Sequence, residues 1–291
     1  MQSSGQPVTR RIRANGIKLT YYEWRAKPGN HESPLLIAHA TGFHGRCYSA
    51  IAEHFPDRRV LSLDLRGHGQ SEGDPVDNWR LISDDVLAFL EQLNIRRAVG
   101  VGHSMGAHIL LQCASDRSEA FDQLILFDPV ILAPEFYGDS GAQRALDAPH
   151  PTIRRKRDFA SPEAMMERFA PRDPYRLFEP RVFEDYCRFG LKESAVGGFE
   201  LACSPEMESS VYSSSRSNHT ILKSARDLEV QTLIVRAQQS ELMDFKSSPT
   251  WPALASIMPN GTDMPRPDRT HFHPFEDSAD AARIIAEATA R

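Results

Sequence analysis

The stretch that decides the fold is Gly100-Val101-Gly102-His103-Ser104-Met105-Gly106-Ala107. A short apolar run at 98–101 precedes Ser104, and an apolar pattern with helical spacing follows it at 107–113. Ser104 therefore falls where a predicted strand passes directly into a predicted helix. A polar residue at such a junction raises the question of whether it carries chemistry or only joins two elements.

The spacing of small residues around Ser104 favours chemistry. Gly102 and Gly106 stand two positions before and two after the serine, and small residues there avoid clashes in a tight strand-to-helix turn. The turn would project the hydroxyl above the carboxyl edge of the sheet. The amide of Met105, at the helix N-terminus, would lie beside it and could stabilise a developing negative charge.

The glycines also approach the spacing of a dinucleotide-binding loop, in which backbone amides contact a pyrophosphate. Asp128 ends the next predicted strand, where such a fold places an acidic residue. However, the series Gly100, Gly102, Gly106 is one residue too long for G-x-G-x-x-G, and several strands precede it, whereas a dinucleotide fingerprint usually opens its domain. The serine turn is the favoured interpretation.

Short apolar runs alternate with helical patterns over most of the chain. Strands are predicted at 17–24, 35–38, 60–65, 98–101, 124–127 and 230–235, and helices at 79–93, 107–113 and 278–290. Strands separated by crossover helices indicate an α/β fold with a mostly parallel, doubly wound sheet that is covered on both faces.

The pattern changes between 134 and about 225, where strand-like runs are missing. Helices are predicted at 162–169, behind an N-cap at Ser161, and at 181–191, while the serine-rich stretch 209–217 is expected to be irregular. The predicted organisation is a core at 1–133, a helical insertion at 134–225 and a second part of the core at 226–291.

Composition and charge argue against several classes of protein. A net charge of -5 over 291 residues gives no electrostatic basis for binding nucleic acid, and the basic run 154–157 is typical of a solvated helix face. The first residues lack the apolar segment of a signal peptide, and no run of about 18 apolar residues predicts a membrane span. We expect a cytoplasmic protein with a small-molecule substrate and no nucleic-acid or membrane partner. A homodimer is left open.

The cysteines form no C-x-x-C pair and no dense framework, so free thiols in a reducing compartment are expected. The four are Cys47, Cys113, Cys187 and Cys203.

Three further segments bear on the chemistry. The loop 39–43, His-Ala-Thr-Gly-Phe, follows a strand and could aim a second backbone amide towards Ser104. The segment 64–71, Asp-Leu-Arg-Gly-His-Gly-Gln-Ser, is expected to be structural, with Asp64 and Arg66 tying loops together.

The third segment, 270–277, carries two histidines that could serve as a base, because the pKa of imidazole lies near neutrality. The His-x-His spacing of His271 and His273 also resembles half of a metal site, but the sequence places no convincing third ligand, so no metal is expected.

Taken together, these segments resemble the α/β-hydrolase family. They occur in the family's order, as HATGF, DLRGHGQS, GHSMG and THFHPFEDS. The resemblance is to the cap-bearing branch of serine esterases, lactonases and C–C hydrolases. It implies an α/β-hydrolase fold with a helical lid inserted after the sixth strand, which ends near Phe127, and it implies no cofactor.

The resemblance also implies catalytic roles. Ser104 matches the nucleophile, and Met105 and Thr41 match the residues whose amides form the oxyanion hole. The loop has Ala40 where the family usually has glycine, so Phe43 is an alternative source of the second amide.

His271 matches the family base, because an aromatic residue follows it directly and an acidic residue, Glu276, stands five positions on. The same offset from His273 reaches Ser278, which does not fit.

The acid is the least defined member of the implied triad. Its commonest family position is filled here by Ser240. Some members place the acid after the strand that follows the nucleophile helix, where this chain has Asp128, and a carboxylate there can still orient the imidazole. Asp128 is favoured, with Glu241 and Asp244 as alternatives.

A second departure is the polar stretch 261–269, which contains two prolines where the family has an apolar strand, so a short or displaced strand is expected. Lid residues could line an apolar pocket, although helix-spaced apolar residues more often pack. They are Met165, Met166, Phe169, Tyr186 and Phe189.

The expected activity is hydrolysis of a small ester, thioester or lactone through an acyl-enzyme. Two alternatives stay open. One is cofactor-independent oxygenase or lyase chemistry, in which the serine only binds substrate; the other is a ligand-binding receptor with residual hydrolysis.

Overall fold

A computed structural model of the chain describes residues 5–137, 149–238 and 246–290. The strands in these ranges are β1 Val8–Ala14, β2 Ile17–Trp24, β3 Leu35–Ala38, β4 Val60–Leu63, β5 Ala98–His103, β6 Phe121–Phe127, β7 Asp158–Phe159, β8 Leu191–Glu193, β9 Phe199–Leu201, β10 Gln231–Ala237 and β11 Gly261–Arg266. The α-helices are α1 Ser49–Ala52, α2 Arg80–Gln92, α3 Met105–Asp116, α4 Pro162–Phe169, α5 Pro180–Phe189, α6 Pro205–Ser213, α7 Ile221–Asp227, α8 His273–Glu276 and α9 Ser278–Thr289.

The core of the molecule is an eight-stranded sheet in the order β1-β2-β4-β3-β5-β6-β10-β11. Strand β2 is antiparallel to both of its neighbours, and every pair from β4 to β11 is parallel. The central strands β3 and β5 are buried at every position, as continuous apolar runs in a covered parallel sheet require. The predicted α/β sheet is confirmed.

Alternate side chains of the central strands enter two hydrophobic clusters, one on each face of the sheet. Leu36 packs on the face that also buries residues of α2 and α3. Leu35 and Ile37 pack on the opposite face with residues of α1 and α9. The carboxyl ends of β5 and β6 therefore lie side by side at one edge of a rigid platform.

The predicted insertion between β6 and β10 contains four α-helices among its described residues, α4 to α7. It also contains a small antiparallel sheet in the order β7-β9-β8, which was not predicted, because strands of two or three residues carry no periodic signal. The predicted N-cap is confirmed, since the Ser161 hydroxyl accepts the Ala164 amide at 3.2 Å.

The expectation that residues 209–217 are irregular is wrong for the first half of that stretch, which belongs to α6. Ser204 caps this helix by accepting the Met207 amide at 3.1 Å. The hydroxyls of Ser210 and Ser214 donate back to carbonyl oxygens one turn earlier, at 2.8 and 2.7 Å, so serine is accommodated inside the helical region.

The two edge strands were the hardest to predict. β1 is mostly polar and half exposed, and it pairs with β2 through a turn at Asn15 and Gly16, both with positive φ. β11 pairs in parallel with β10 over six residues despite Pro265, because an edge strand tolerates a missing donor. The expectation of a short or displaced final strand is therefore wrong, since β11 has six residues and pairs with β10 at each of them.

All four cysteines are buried and unpaired, as predicted. In the three described ranges, no helix combines the length and apolar character needed to cross a bilayer.

Candidate active site

Ser104 sits on a strained turn between β5 and α3, with φ 57° and ψ -117°. Its amide donates to the carbonyl oxygen of Phe127 at 2.9 Å, which ties the turn to the end of β6. A Cβ at Gly106 would lie 2.1 Å from the backbone oxygen of Ala38, and one at Gly102 would lie 2.4 Å from a backbone carbon of α3. Both glycines are therefore required by contact, as the sequence spacing indicated.

Three predicted side chains meet above this edge of the sheet. The Oγ of Ser104 lies 2.9 Å from Nε2 of His271, and Nδ1 of His271 lies 2.6 Å from Oδ2 of Asp128. Because an ionised carboxylate can only accept, Nδ1 carries the imidazole proton, and Nε2 is then free to accept from the hydroxyl. This geometry allows a proton to pass from serine to histidine.

The Asp128 carboxylate is buried but well supplied with donors. Its backbone is in the left-handed region, at φ 52°. Burial by itself would raise the pKa of Asp128, but hydrogen bonds from His271, the Ser248 hydroxyl and the Ala237 amide outweigh burial and lower it. Asp128 is therefore ionised at neutral pH and can stabilise a charged imidazole.

The other candidates for base and acid do not join this group. Nε2 of His273 lies 2.8 Å from Asp280, and its ring is buried against Phe127 rather than facing Ser104. Glu241 and Asp244, the alternative acids, lie outside the described residues.

Backbone amides for an oxyanion are available at two of the three predicted positions. The Phe43 amide donates to the Ala40 carbonyl at 3.2 Å and is thus committed to a turn. Within the described part of the chain, no hydrogen bond engages the amides of Thr41 and Met105. Thr41 and Phe43 both line the cavity beside Ser104, and because the Phe43 amide is already hydrogen-bonded, Thr41 is favoured as the second donor.

A cavity of about 240 Å³ opens beside Ser104 and His271. Its other lining residues are Ala40, Thr41, Phe43, Trp79, Val130, Tyr212, Ser215, Ser247, Pro249 and Phe272. The insertion thus contributes Tyr212 and Ser215 to the wall, and the remaining described residues belong to the core.

The five apolar lid residues considered as pocket lining do not contact this cavity. Met165, Phe169 and Tyr186 belong to the hydrophobic cluster on the face of the sheet that carries α1 and α9, and Met166 packs against it. Phe189 contacts the guanidinium of Arg46. Their helical spacing reflects packing.

The segment 64–71 ties loops together, as predicted. The Asp64 carboxylate accepts the amides of Gly45 and Gln70 at 2.7 and 2.8 Å. Arg66 forms two hydrogen bonds with Asp85, both at 2.6 Å, and both side chains are buried. Neither Asp64 nor Arg66 forms a hydrogen bond with Ser104.

Sequence reasoning missed several residues that hold the site. Ser248 and Thr250 donate to Asp128 from a loop without any recognisable motif. His103 and Tyr48 bond to one another beneath the site, and only the histidine's position next to Ser104 could have drawn attention to it. Among the described residues, no group of three or more histidine, cysteine, aspartate or glutamate side chains could hold a metal ion.

The model of the alpha/beta hydrolase family matches residues 35–286. The chain belongs to this family.

Curated relatives of this alpha/beta hydrolase include esterases and lipases. The sn-1-specific diacylglycerol lipase ABHD11 of Danio rerio is 28% identical over 193 residues, which are 65% of this chain and 54% of that protein. Esterase YbfF of Escherichia coli (strain K12) is 27% identical over 122 residues, 42% of this chain and 47% of that protein. The chain spans about half the length of these relatives.

Solved structures of other proteins superpose on nearly the whole of this chain. E-2-(acetamidomethylene)succinate hydrolase superposes with a TM-score of 0.78 at 20% identity, covering 98% of this chain and 100% of that one. A thermophilic esterase from Thermogutta terrifontis gives 0.68 at 21% identity, covering 98% of each chain. At such identities the likeness shows the fold.

Proposed function

We propose that this alpha/beta hydrolase cleaves a small carboxylic ester, thioester or lactone through an acyl-enzyme intermediate. The observation that carries the proposal is the continuous chain of hydrogen bonds from the Ser104 hydroxyl through His271 to Asp128. A serine hydroxyl is a weak nucleophile unless a positioned base accepts its proton, and the His271 imidazole lies where it can act as that base.

The mechanism follows from these positions. Nε2 of His271 accepts the hydroxyl proton while Oγ of Ser104 attacks the carbonyl carbon, and the amides of Met105 and Thr41 donate to the oxygen that becomes negative. The imidazolium, stabilised by Asp128, gives its proton to the leaving alkoxide or thiolate. Water, deprotonated by the same imidazole, then attacks the acyl-enzyme and releases the acid, which regenerates the serine.

The cavity supports a small and uncharged substrate. Its volume of about 240 Å³ lies below the roughly 300–1,000 Å³ of most small-molecule pockets. Apart from His271, its described lining residues are apolar, aromatic or hydroxyl-bearing, so a charged acyl group would lose hydration there without gaining a partner among them. Short aliphatic or small aromatic acyl groups fit best.

The experiment that tests the proposal is labelling with a fluorophosphonate probe, followed by mass mapping of the modified peptide and a screen of p-nitrophenyl esters. We expect covalent label on Ser104 and turnover of short-chain esters. Folded protein that takes no label and hydrolyses no ester would exclude a serine hydrolase and favour the oxygenase, lyase or receptor alternatives.

A further inference from the structure

His103 precedes Ser104 in the turn, yet its ring points away from the cavity and is 1% exposed. Its Nε2 lies 2.8 Å from the backbone carbonyl oxygen of His271, and its Nδ1 lies 2.8 Å from the hydroxyl of Tyr48. The same hydroxyl accepts the backbone amide of Ala40 at 3.2 Å. We call these contacts the Tyr48–His103 bridge.

The groups at the two ends of the Tyr48–His103 bridge, the His271 carbonyl and the Ala40 amide, determine the direction of each hydrogen bond in it. A carbonyl oxygen can only accept, so Nε2 of His103 carries the proton, and Nδ1 of the neutral ring must accept. Tyr48 therefore donates to Nδ1, while its oxygen accepts from the Ala40 amide. Every polar atom in the bridge has a partner, as buried polar groups require.

The bridge joins the backbones of three segments that are far apart in the chain. Ala40 immediately precedes Thr41, His103 immediately precedes Ser104, and the third end is the peptide of His271 itself. The turn at Ser104, the loop 39–43 and the segment 270–277 thus share one buried hydrogen-bond network.

The His271 peptide is held on both sides. Its amide donates to the carbonyl of Lys246 at 2.8 Å, and its own carbonyl accepts from His103. Phe275 packs edge-on against both Tyr48 and His103, with ring centroids 5.1 and 5.2 Å apart, which restricts the two rings of the bridge. These two hydrogen bonds restrict movement of the His271 peptide and so help to fix the position of its ring.

We infer that His103 and Tyr48 are positioning residues of the reaction. They hold the His271 imidazole and the Thr41 amide at the correct positions relative to the Ser104 hydroxyl. The inference rests on the proposed function for its catalytic meaning. Neither side chain touches the substrate cavity, so both act through the backbone of residues that do.

The charge state of His103 agrees with such a role. Burial lowers the pKa of His103 to about 3, so the ring is neutral throughout the range in which a serine hydrolase works. Its centroid lies 5.3 Å from that of His271. A second positive charge at that distance would oppose formation of the imidazolium, whereas a neutral ring does not.

Two substitutions at one position separate the hydrogen bond from the packing. His103→Phe keeps an aromatic ring but leaves the His271 carbonyl without its donor, and His103→Gln keeps an N–H that can reach that carbonyl. A displacement of about 1 Å near a reacting centre can cost on the order of 100-fold in rate. We expect kcat to fall about 100-fold in His103→Phe and by less than about tenfold in His103→Gln, with KM nearly unchanged in both.

Tyr48→Phe tests the other half of the bridge and is expected to lower kcat about tenfold, because it removes both hydrogen bonds of the hydroxyl and leaves Nδ1 of His103 and the Ala40 amide without these partners. The matched control is His68→Phe. His68 is also fully buried and donates to a backbone carbonyl, but it has no hydrogen bond to Ser104, His271 or Asp128. This control replaces a buried imidazole by a phenyl ring and removes its hydrogen bond to a backbone carbonyl, and it is expected to keep the wild-type kcat per folded molecule.

NMR of protein labelled with ¹⁵N-histidine provides a readout that does not need turnover. The Nδ1 proton of His271 should give a sharp, exchange-protected downfield signal in wild type and in His68→Phe, and a broadened or lost signal in His103→Phe. If wild type takes no fluorophosphonate label while the NMR difference is seen, the proposed function fails and the positioning stands.

Wild-type kcat and an unchanged signal in His103→Gln, His103→Phe and Tyr48→Phe would overturn the inference. It would also be overturned if the loss in His103→Phe matched that in His68→Phe, because the role would then be general packing. Should His103→Phe not fold, His103→Gln and Tyr48→Phe carry the same comparison.

Discussion

The backbone amide of Asp128 donates to the carbonyl oxygen of Val235 at 2.8 Å. This bond ties the residue that follows β6 to β10, a strand more than a hundred positions later in the chain. Asp128 and Ser104 both have positive φ, and both stand at the carboxyl end of a central strand. Such strained backbone persists only where the surroundings hold it, and here the sheet provides the support.

The nucleophile proposal predicts a near-total loss of activity in Ser104→Ala. In a serine hydrolase, removal of the serine costs on the order of 10⁶-fold in kcat, because covalent chemistry is lost while binding remains. The measurement is p-nitrophenyl acetate hydrolysis with circular dichroism as a check on folding. An oxygenase or lyase whose serine only binds substrate would instead retain part of its turnover.

The acid proposal predicts that Asp128→Asn lowers kcat by about 10⁴-fold, since a neutral amide cannot stabilise the imidazolium and can hold the wrong tautomer of His271. Glu241→Gln is the comparison, because Glu241 is one of the two alternative acids that the sequence suggests. We expect it to leave kcat within about twofold of wild type. The reverse pattern, with Glu241→Gln inactive and Asp128→Asn active, would reassign the acid.

The size of the cavity predicts a preference for short acyl chains. Ser215 lines the cavity, so Ser215→Leu should fill part of it and lower kcat/KM for p-nitrophenyl hexanoate relative to acetate by about tenfold or more. Ser215→Ala is the matched control and should keep the wild-type ratio. Equal losses for both esters in Ser215→Leu would show that the acyl chain does not occupy this cavity.

The ion pair of Arg66 and Asp85 predicts a large effect on stability. Arg66→Met leaves the carboxylate of Asp85 buried without its charged partner, so the free energy of unfolding should fall by about 3–5 kcal/mol. Replacing both residues, as in Arg66→Met with Asp85→Leu, should recover most of the loss. Urea denaturation measures both, and Arg97→Met, which removes an exposed arginine, should change little. A loss below about 1 kcal/mol in Arg66→Met would contradict this prediction.

The carboxylate of Asp280 predicts a pH-dependent contribution to stability. Burial opposes its ionisation, but hydrogen bonds from Arg283, Arg266 and His273 outweigh burial and hold the pKa of Asp280 well below its ordinary value of 3.8. The folded state therefore binds the proton less readily than the unfolded chain. The stability that Asp280 contributes is present above about pH 4 and is lost as the pH falls towards the folded pKa.

The test compares wild type with Asp280→Asn by urea unfolding at pH 6 and pH 3. The stability advantage of wild type should shrink by about 1 kcal/mol at the lower pH. Asp227→Asn removes an exposed carboxylate and serves as the control, with little effect expected at either pH. An advantage that is constant with pH would mean that the pKa of Asp280 is ordinary.

Local patterns predicted much of the central sheet and the order of its elements. The bounds of β2 and β3 agree with the apolar runs that predicted them, because buried strands carry a continuous signal. The turn at Ser104 followed from glycine spacing, and the choice of His271 over His273 followed from the family register. Three kinds of element were not predicted from the sequence: the polar edge strand β1, the short strands of the insertion and the serine-containing helix α6. Their local sequence gives little signal, and packing against the rest of the molecule decides their structure.

The sequence by itself indicated the tight turn at Ser104 and the histidine segment as candidates for the chemistry, since each signal lies in a few neighbouring residues. Only the tertiary structure decided that Asp128 is the described carboxylate bonded to His271, that Ser248 and the Ala237 amide hold it, and that Tyr48 and His103 lie beneath them. The physical reason is that these contacts join segments far apart in the chain. The distances between the contacting atoms depend on the order of the strands in the sheet.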